Sequence, residues 1–284
     1  MLESNARHYM KPGVSVVIPV RNGMPYLEQT LMSVRCQTRT ADEVIVIDNR
    51  STDGTREFLS TQTDIEVVTQ PSGVSAPANW TTAVRTATRS FVKILCADDL
   101  LLPNCLEQQL QALMQHSTCV IASARRQVIG PNSEVLINAI GHEGLRGVVS
   151  GKQSILRGLS RGTNHYGEVS ALLFRTSVLQ SCLPWPGNAG YATDLAMYVK
   201  VLREGDVYFD REPLAQFRVT QSSWSFMVRS TQARDLRAVY ASANVEIPLG
   251  VSWRRQLSGA MFAYGRQFLR SLFYLSVRGS KVSS

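Results

Sequence analysis

The stretch VSVVIPV, Val14–Val20, is an apolar and largely β-branched run, and the fold class follows from what stands around it. Runs of this kind are typical of strands that helices cover on both faces of a parallel sheet. The segment MPYLEQTLMSVRCQ (24–37) then places apolar residues at helical spacing, with Pro25 where proline suits a first helical turn. EVIVID, Glu43–Asp48, is predicted to be a second buried strand. The order strand, helix, strand predicts two parallel strands joined by a right-handed crossover.

The same alternation continues along the chain and weakens between about Gly130 and Gly167. Strands alternating with helices predict an α/β domain with a mostly parallel sheet, in which ligands bind beyond the carboxyl ends of the strands. The further predicted elements are a short helix from about Thr55, strands over 65–70, 91–96, Cys119–Ala124 and Val169–Arg175, and helices over Ala76–Arg89, Asn104–Gln115 and Thr193–Gly205.

The bulk properties are those of a globular chain. Its 284 residues suffice for one large domain or two small ones. The five cysteines show neither close pairing nor metal-type spacing, which favours reduced thiols and a cytoplasmic location. We expect no signal peptide at the N-terminus, and no membrane-spanning helix because no run reaches about 18 apolar residues.

Polar side chains stand at the carboxyl ends of the first, second and fourth predicted strands. Because parallel strands end at the same edge of a sheet, these side chains are predicted to converge on one site. They are Pro19, Arg21 and Asn22 after the first strand, Asp48 and Asn49 after the second, and Asp98 and Asp99 after the fourth.

Asp98 and Asp99 directly follow the largely apolar run FVKILCA (91–97). Adjacent carboxylates repel each other and burial raises their pKa, so the pair favours a bound cation. Neither a P-loop nor a G-x-G-x-x-G motif follows the first strand, which leaves a metal held by carboxylates as the means of binding a nucleotide diphosphate. The alternative is that one aspartate only caps the next helix. Asp53, in STDGT, is typical of a turn or cap residue.

Three segments resemble the family-2 inverting glycosyltransferases, which have the glycosyltransferase A-type fold. They are VSVVIPVRN (14–22), EVIVIDNRSTDGT (43–55) and NWTTAVRTATRSFVKILCADDLLLP (79–103). The similarity covers about residues 13–115 strongly and 165–226 more weakly. It implies a GT-A (Rossmann-like) fold, with a mostly parallel central sheet flanked by helices and a C-terminal helical tail.

The resemblance also implies roles in binding a nucleotide-diphosphate-sugar donor. Pro19, Asn22 and Asp48 match positions that line the base and ribose pocket, and we assign Arg21 and Asn49 to substrate binding with them. Asn49 departs from the family, whose motif VDDGS has a second acidic residue there, so Asn49 can hydrogen-bond but supplies no charge.

Asp98 and Asp99 match the D-x-D motif of the family, which implies that they contact the ribose, the diphosphate and a divalent metal, Mn or Mg. Cys96 stands where family members commonly have the first acidic residue of this motif. Trp80, at helical spacing in ANWTTAV, is predicted to lie in the core.

In the second half, GYATDLAMYVKVLREG (190–205) is similar to the helix of the family that carries a catalytic carboxylate, and Asp194 is the match. It would accept the proton of the acceptor hydroxyl, or else merely cap the helix. His165 and Glu168 precede a predicted strand where the family builds its acceptor pocket. QFRVTQSSWS (216–225) resembles the closing strand and loop, with Arg218 near the diphosphate or, alternatively, solvated at the surface.

The C-terminal tail carries the positive charge of the chain, because residues 229–284 hold 9 Lys/Arg against 2 Asp/Glu. Its apolar residues form a helical stripe with arginines beside it, which suits either an anionic membrane surface or packing on the catalytic body. No motif supports nucleic-acid binding. The stripe consists of Leu257, Met261, Tyr264, Phe268, Leu272 and Leu275.

These features predict a catalytic domain over 1–228, made of a nucleotide-sugar-binding half (13–115) and an acceptor-binding half (116–228), and a basic amphipathic tail over 229–284. The predicted activity is metal-dependent inverting transfer of a sugar to a saccharide or lipid-linked saccharide in surface-glycan assembly, of hexosyltransferase type, by a cytoplasmic enzyme with peripheral attachment to the inner face of the membrane. One alternative is a catalytically degenerate binding or scaffold protein. A sugar-phosphate nucleotidyltransferase is a second, although VRNGMPY (20–26) is a poor match to its glycine-rich basic loop.

Overall fold

The computed structural model of the chain describes residues 10–220, 230–246 and 252–278. Within them one sheet contains ten strands: β1 (Lys11–Val20), β2 (Glu43–Asp48), β3 (Glu66–Thr69), β4 (Arg89–Ile94), β5 (Leu100–Leu101), β6 (Cys119–Ile129), β7 (Val135–Ile140), β8 (Gly147–Val149), β9 (Leu172–Arg175) and β10 (Asp206–Arg218). The α-helices are α1 (Leu27–Arg35), α2 (Thr55–Ser60), α3 (Ala76–Thr86), α4 (Cys105–Gln115), α5 (Gly151–Arg161), α6 (Thr176–Ser181), α7 (Thr193–Val201), α8 (Gln232–Glu246) and α9 (Trp253–Arg278).

The strands of the sheet follow the order β3-β2-β1-β4-β9-β6-β10-β5, with β7 beside β6 and β8 beside β10. The first four strands are parallel to one another, and β6 is parallel to β10. β9 runs antiparallel between β4 and β6. The predicted α/β class with a mostly parallel central sheet is therefore confirmed.

The apolar run that opened the sequence lies at the centre of this sheet. Residues 14–20 of β1 are all buried, between β2 on one side and β4 on the other. Pro25 lies near the start of the first helix, as predicted, but in the turn that precedes it and not in its first turn. Residues 24–26 form a turn in which the N–H groups of Tyr26 and Leu27 both donate to the carbonyl of Gly23 (2.9 Å each), and the helix begins at Leu27.

Two predicted elements of the second half are shorter than expected. The strand predicted over Val169–Arg175 begins at Leu172, because residues 169–171 form a 3-10 turn that the Ala171 N–H closes on the carbonyl of Glu168 (2.9 Å). The helix predicted to reach Gly205 ends at Val201, and Gly205 lies just before β10 instead.

The strands of the first predicted half do not all lie together in the sheet, because β9, β6 and β10 of the second half stand between β4 and β5. β5, from the first half, pairs with β10 from the second, and β9 from the second half lies against β4 from the first. The carboxyl end of β4 and the end of β10 are thereby brought to the same region of the molecule.

The C-terminal helix α9 packs on α5 through small residues. A Cβ atom on Gly259 would lie 2.0 Å from the carbonyl oxygen of Leu159, so only glycine permits this approach of the two backbones. Gly162, which ends α5 with φ +57°, meets the same segment, and Ala263 is buried one turn further along. Helix α9 is therefore held against the catalytic body.

The predicted apolar stripe of α9 points away from this contact. Its described members, Leu257, Met261, Tyr264 and Phe268, are 50–70% exposed, and Trp253 at the start of the helix is 68% exposed. Side chains beyond Leu269, which include Leu272 and Leu275, lie outside the described residues. Over 10–220, 230–246 and 252–278, no helix is both long and apolar enough to cross a bilayer.

Candidate active site

A cavity of about 780 Å³ opens beyond the carboxyl end of β4. The polar part of its lining comes from the acidic pair after β4, from the segment before β9 and from the start of α7. Residues that are distant in the sequence therefore lie close together there. The predicted site residues that line it are Asp98, Asp99, His165, Glu168 and Asp194. The other predicted residues, Pro19, Arg21, Asn22, Asp48, Asn49 and Arg218, lie outside its lining.

The two adjacent aspartates have different surroundings. Asp99 is buried, and both of its carboxylate oxygens are engaged: the Ser170 hydroxyl donates to Oδ2 (2.6 Å) and the backbone N–H of Arg218 donates to Oδ1 (3.0 Å). Asp98 is only half-buried. Burial raises the pKa of both carboxyls, and the charge of Asp98 adds to the rise at Asp99, whose pKa lies well above its usual range.

Arg218 lies beneath the acidic pair and is fully buried, not solvated. Its Nε donates to the carbonyl of Asp98 (2.8 Å), and its Nη2 donates to Oε1 of Gln29 (3.0 Å). The guanidinium also lies over the ring of Tyr26, 4.4 Å from its centroid. Nη1 donates to the carbonyls of Gly130 (3.1 Å) and Pro131 (3.2 Å) and to Oγ of Ser133 (3.0 Å).

Both predictions for Arg218 therefore need correction. Its N–H groups are turned to protein acceptors, so it is neither a surface side chain nor oriented to contact a diphosphate. Instead it fixes the backbone of Asp98 to helix α1 and to the loop after β6. The residues of the predicted closing loop from 221 to 225 lie outside the described residues.

Asp194 stands in the first turn of α7, and part of its surface reaches the cavity. Its Oδ1 is buried and finds no hydrogen-bond partner among the described residues. Burial, and then the nearby negative charge of Glu168, raise the pKa of Asp194 to about 8. An unpaired oxygen on a carboxyl with a raised pKa is suited to accept a proton from a bound hydroxyl.

Glu168 is paired with Arg126 of β6. Nη2 of Arg126 donates to Oε1 of Glu168 (3.0 Å), and Nε of Arg126 contacts Oε2. Both residues line the cavity. The Arg126 guanidinium compensates the charge of the Glu168 carboxylate, which lies close enough to Asp194 to raise its pKa.

His165 is buried, and neither ring nitrogen has a hydrogen-bond partner in the part of the chain that the structure describes. Its ring stacks at a tilt on Tyr166, with centroids 4.2 Å apart. Burial lowers the pKa of His165 to about 3, and the nearby His142 contributes to this shift. His165 is thus a neutral imidazole in the cavity wall.

The loops after β1 and β2 are bound to each other. The Asn22 N–H donates to the Ser51 hydroxyl (2.8 Å), and Oδ1 of Asn22 accepts from the Thr52 N–H (2.9 Å). The Ser51 N–H donates to Oδ1 of Asp48 (3.1 Å), while Oδ2 of Asp48 is buried and has no hydrogen-bond partner among the described residues. A second concavity of about 460 Å³, lined by Asp48 and by Thr69 at the end of β3, adjoins this oxygen.

The remaining predicted nucleotide-binding residues differ in their exposure. Asn49 is buried and pairs with the backbone of Val74, donating from Nδ2 to the carbonyl (2.8 Å) and accepting at Oδ1 from the N–H (2.9 Å). Arg21 is exposed, whereas Pro19 is buried within β1. Asp53 acts as the predicted turn residue, since its Oδ1 accepts from the N–H of Thr55 (3.2 Å).

Several functional neighbours are not apparent from the sequence. Arg126 lies in a strand whose pattern gives no sign of a cavity, and Ser170 is one hydroxyl among many. Cys96 lines the cavity, and burial followed by the charge of Asp99 raises the pKa of its thiol well above the usual value. Trp80 packs against the core as predicted, but it also borders the cavity.

The acidic pair can hold a divalent metal only if other ligands, such as phosphate oxygens, complete the coordination shell of the ion. Over 10–220, 230–246 and 252–278 there is no group of three or more His, Cys, Asp or Glu side chains that could hold a metal ion. Asp98 faces the cavity, whereas both oxygens of Asp99 are already engaged. Because Mg²⁺ binds through one or two carboxylates together with phosphate oxygens and water, Asp98 can serve as a ligand with a bound diphosphate.

A wound sheet with an acidic pair at its carboxyl edge and an enclosed carboxyl in the same cavity defines a glycosyltransferase of the GT-A fold. The chain belongs to glycosyl transferase family 2, whose family model matches residues 15–180. It is an enzyme of that class, as the sequence predicted.

Curated relatives are similar over most of the chain or over little more than a third of it. The putative teichuronic acid biosynthesis glycosyltransferase TuaG of Bacillus subtilis is 28% identical over 223 residues, which are 76% of this chain and 82% of that protein. The UDP-Glc:alpha-D-GlcNAc-diphosphoundecaprenol beta-1,3-glucosyltransferase WfgD of Escherichia coli is 29% identical over 108 residues, 37% of this chain and 42% of that protein.

Solved structures share the fold. S. aureus TarS (residues 1–349) in complex with UDP-GlcNAc matches with a TM-score of 0.66 and 16% identity, over 90% of this chain and 72% of that one. The mannosyltransferase PcManGT from Pyrobaculum calidifontis, in complex with GDP-Man and Mn²⁺, matches with a TM-score of 0.63 and 18% identity, over 97% of this chain and 78% of that one.

Proposed function

We propose that the protein transfers a sugar, with inversion, from a nucleotide-diphosphate donor to a hydroxyl of a saccharide or lipid-linked saccharide during surface-glycan assembly. The observation that carries this proposal is that Asp98 and Asp194 line one cavity: Asp98 can share a divalent metal with the donor diphosphate, and Oδ1 of Asp194 has no hydrogen-bond partner among the described residues. The names of relatives support it, because TuaG is assigned to teichuronic acid biosynthesis and WfgD to a diphosphoundecaprenol-linked acceptor.

The transfer is a single displacement at the anomeric carbon. The acceptor oxygen attacks, Asp194 takes the proton of that hydroxyl, and the bond to the diphosphate breaks on the opposite face. Asp98 would hold a divalent metal, Mn²⁺ or Mg²⁺, which would supply charge stabilisation to the departing diphosphate. The Arg218 contacts fix the backbone of Asp98, and positioning of this kind contributes to the rate.

The donor base is proposed to lie near Asp48. Oδ2 of Asp48 is buried, lies 3.9 Å from Nε of Arg56 and has no hydrogen-bond partner among the described residues, so it can accept from an N–H of a nucleobase. The loops held by Asn22 and Ser51 would enclose the ribose. Solved structures with this fold hold UDP-GlcNAc in one case and GDP-Man with Mn²⁺ in another, so both uridine and guanosine donors are included.

Calorimetry and a transfer assay with UDP- and GDP-sugars test the proposal. We expect wild-type protein with Mn²⁺ to bind one donor class. Asp98→Ala should weaken donor binding and abolish transfer, and Asp194→Ala should abolish transfer while donor binding persists. Wild-type turnover in either variant would contradict the assignment.

We also propose that α9 attaches the protein to the cytoplasmic face of an anionic membrane. The exposed stripe from Trp253 to Phe268 lies along one side of the helix, and basic side chains flank it. Arg237 lies 5.7 Å from the Tyr264 ring centroid, and Arg254 lies 5.6 Å from that of Trp253. Aromatic residues beside arginines suit the interface of an anionic bilayer.

Flotation with phosphatidylglycerol vesicles tests this attachment. We expect wild-type protein to float with the vesicles, and we expect Leu257→Ser/Met261→Ser to stay in the soluble fraction with its nucleotide binding intact. Met114→Ser, a change of an equally exposed apolar residue on α4, is the control. Membrane binding that survives deletion of 252–284 would refute the proposal.

A further inference from the structure

The cavity that holds Asp98 and Asp194 also has an apolar wall. Phe217 of β10, Val128 of β6 and Ile137 of β7 occupy directly opposed positions on three neighbouring strands. They belong to a small apolar cluster that is separate from the main core, and all three line the cavity. We refer to Phe217, Val128 and Ile137 as the apolar row.

The apolar row and the charged part of the cavity lie on one face of the sheet. Arg126, which pairs with Glu168, stands two residues before Val128 on β6, and alternate residues of a strand face the same side about 6.6 Å apart. One bound molecule of modest size can therefore reach both regions.

The apolar region continues to the surface beside α9. Ile140 of β7, Leu236 of α8 and Leu269 of α9 line the same cavity. Leu269 is 65% exposed, and Phe262, two turns earlier on α9, is 54% exposed. Two arginines line the cavity along this path: Arg266 at the rim is paired with Glu143 (2.6 Å), and Nη2 of Arg125 donates to the carbonyl of Ala139 (3.0 Å). An extended hydrocarbon chain could pass from the apolar row to the surface of this helix beside them.

A bare saccharide is a poor match for this half of the cavity. Sugar hydroxyls placed against the apolar row would lose hydrogen bonds to water and gain none from the side chains there. A hydrocarbon chain gains from the same burial.

We propose that the acceptor is amphiphilic, with its sugar hydroxyl at Asp194 and an attached hydrocarbon chain along the apolar row. This inference rests on the proposed function and selects the lipid-linked class from the two acceptor classes that the function includes. The chain emerges beside α9, so a membrane-embedded lipid could present its sugar to the site.

Methyl and n-octyl glycosides of glucose, galactose and N-acetylglucosamine, used below their micellar concentrations, test the inference. Binding is measured by calorimetry with UDP and Mn²⁺ present, and transfer is measured with the donor that the protein binds. Each buried methylene raises affinity about fourfold, so burial of about four of them predicts octyl binding on the order of 100-fold tighter than methyl binding.

Ile137→Asn and Leu136→Asn form a matched pair, because the two residues are neighbours on β7 and only Ile137 lines the cavity. We expect Ile137→Asn to lower the octyl-to-methyl ratio at least tenfold and to leave methyl glycoside binding unchanged. Leu136→Asn, at a residue that is 39% exposed, should keep the wild-type ratio.

A wild-type ratio near one, or a ratio that Ile137→Asn and Leu136→Asn alter equally, would overturn the inference. These outcomes are distinct from failure of the proposed function. A protein that transfers sugar to methyl and octyl glycosides equally well is a glycosyltransferase without a chain site, whereas one that binds octyl glycosides tightly but transfers sugar to neither has the chain site without the proposed transfer.

Discussion

Replacement of Arg218 by methionine should cost the protein a large part of its stability. The side chain is fully buried, and its N–H groups contact five acceptors, among them the carbonyl of Asp98 (2.8 Å) and Oε1 of Gln29 (3.0 Å). Methionine fills much of the same volume but donates no hydrogen bond. Several polar atoms would lose their partner at once.

The expected loss in the free energy of unfolding is about 3–5 kcal/mol, the range found when one member of a buried charged network is removed. For a chain of this size, such a loss corresponds to a fall in Tm of about 10 °C. Arg218→Lys should recover little of it, because one ammonium cannot reach acceptors that surround a planar guanidinium. The loss should also impair transfer, since the backbone of Asp98 would no longer be fixed.

Urea unfolding followed by circular dichroism measures this free energy. Arg211→Met is the control, because Arg211 lies on the same strand, β10, and is exposed. It should change stability by less than about 0.5 kcal/mol. A loss below 1 kcal/mol for Arg218→Met, or equal losses in the two variants, would refute the reasoning that Arg218 holds these segments together.

Two further predictions concern pH. Asp194 must be deprotonated to accept a proton, so its pKa of about 8 predicts that transfer at saturating donor rises with pH up to about 8 and then levels. Asp194→Asn should lower the rate of transfer about 1000-fold or more. A flat wild-type profile from pH 6 to 9 would count against the role of Asp194 as the base. His165 and His142 have pKa values of about 3 and about 4, below the ordinary 6.5, so the unfolded chain binds more protons and stability should fall as pH drops from 6.5 towards 4. His165→Phe should flatten this decline in urea unfolding measured at pH 7 and pH 4.5, and an unchanged slope would contradict it.

The centre of the sheet could be predicted well from the sequence because its strands are buried. Continuous apolar runs such as residues 14–20 and 43–48 leave little choice of structure. The segment 130–149 gave no clear pattern, since β7 is half-exposed and β8 is only three residues long. Their pairing with β6 and β10 depends on contacts between distant segments.

The acids of the site could also be located from the sequence, whereas their partners could not. The end of β4 fixes the place of Asp98 and Asp99 in any wound sheet. That Asp99 is bound by Ser170 and Arg218, 71 and 119 residues away, depends on where β9 and β10 enter the sheet. The sequence therefore marked Asp99 as a metal ligand, although its oxygens are occupied within the protein.

The tail shows a different limit. Its stripe of large apolar residues predicted one apolar face of the helix but left open whether that face packs on the catalytic domain or on a membrane. The structure uses Gly259 and Ala263 for the contact with α5, because two helical backbones can approach closely only where side chains are small. A pattern of large residues carries no information about such contacts.

The place of β5 at the far edge of the sheet restricts how this chain could have changed during evolution. β5, encoded early, completes the sheet beside β10, encoded late, and β9 fills the gap between β4 and β6. Either half, if it were made alone, would leave strand edges unpaired that the other half covers in the intact sheet. If one half were exchanged between relatives, the new half would have to pair correctly at both boundaries, β4 with β9 and β10 with β5. New sugar specificities are therefore expected to arise by substitutions in the loops and not by transfer of a half-domain.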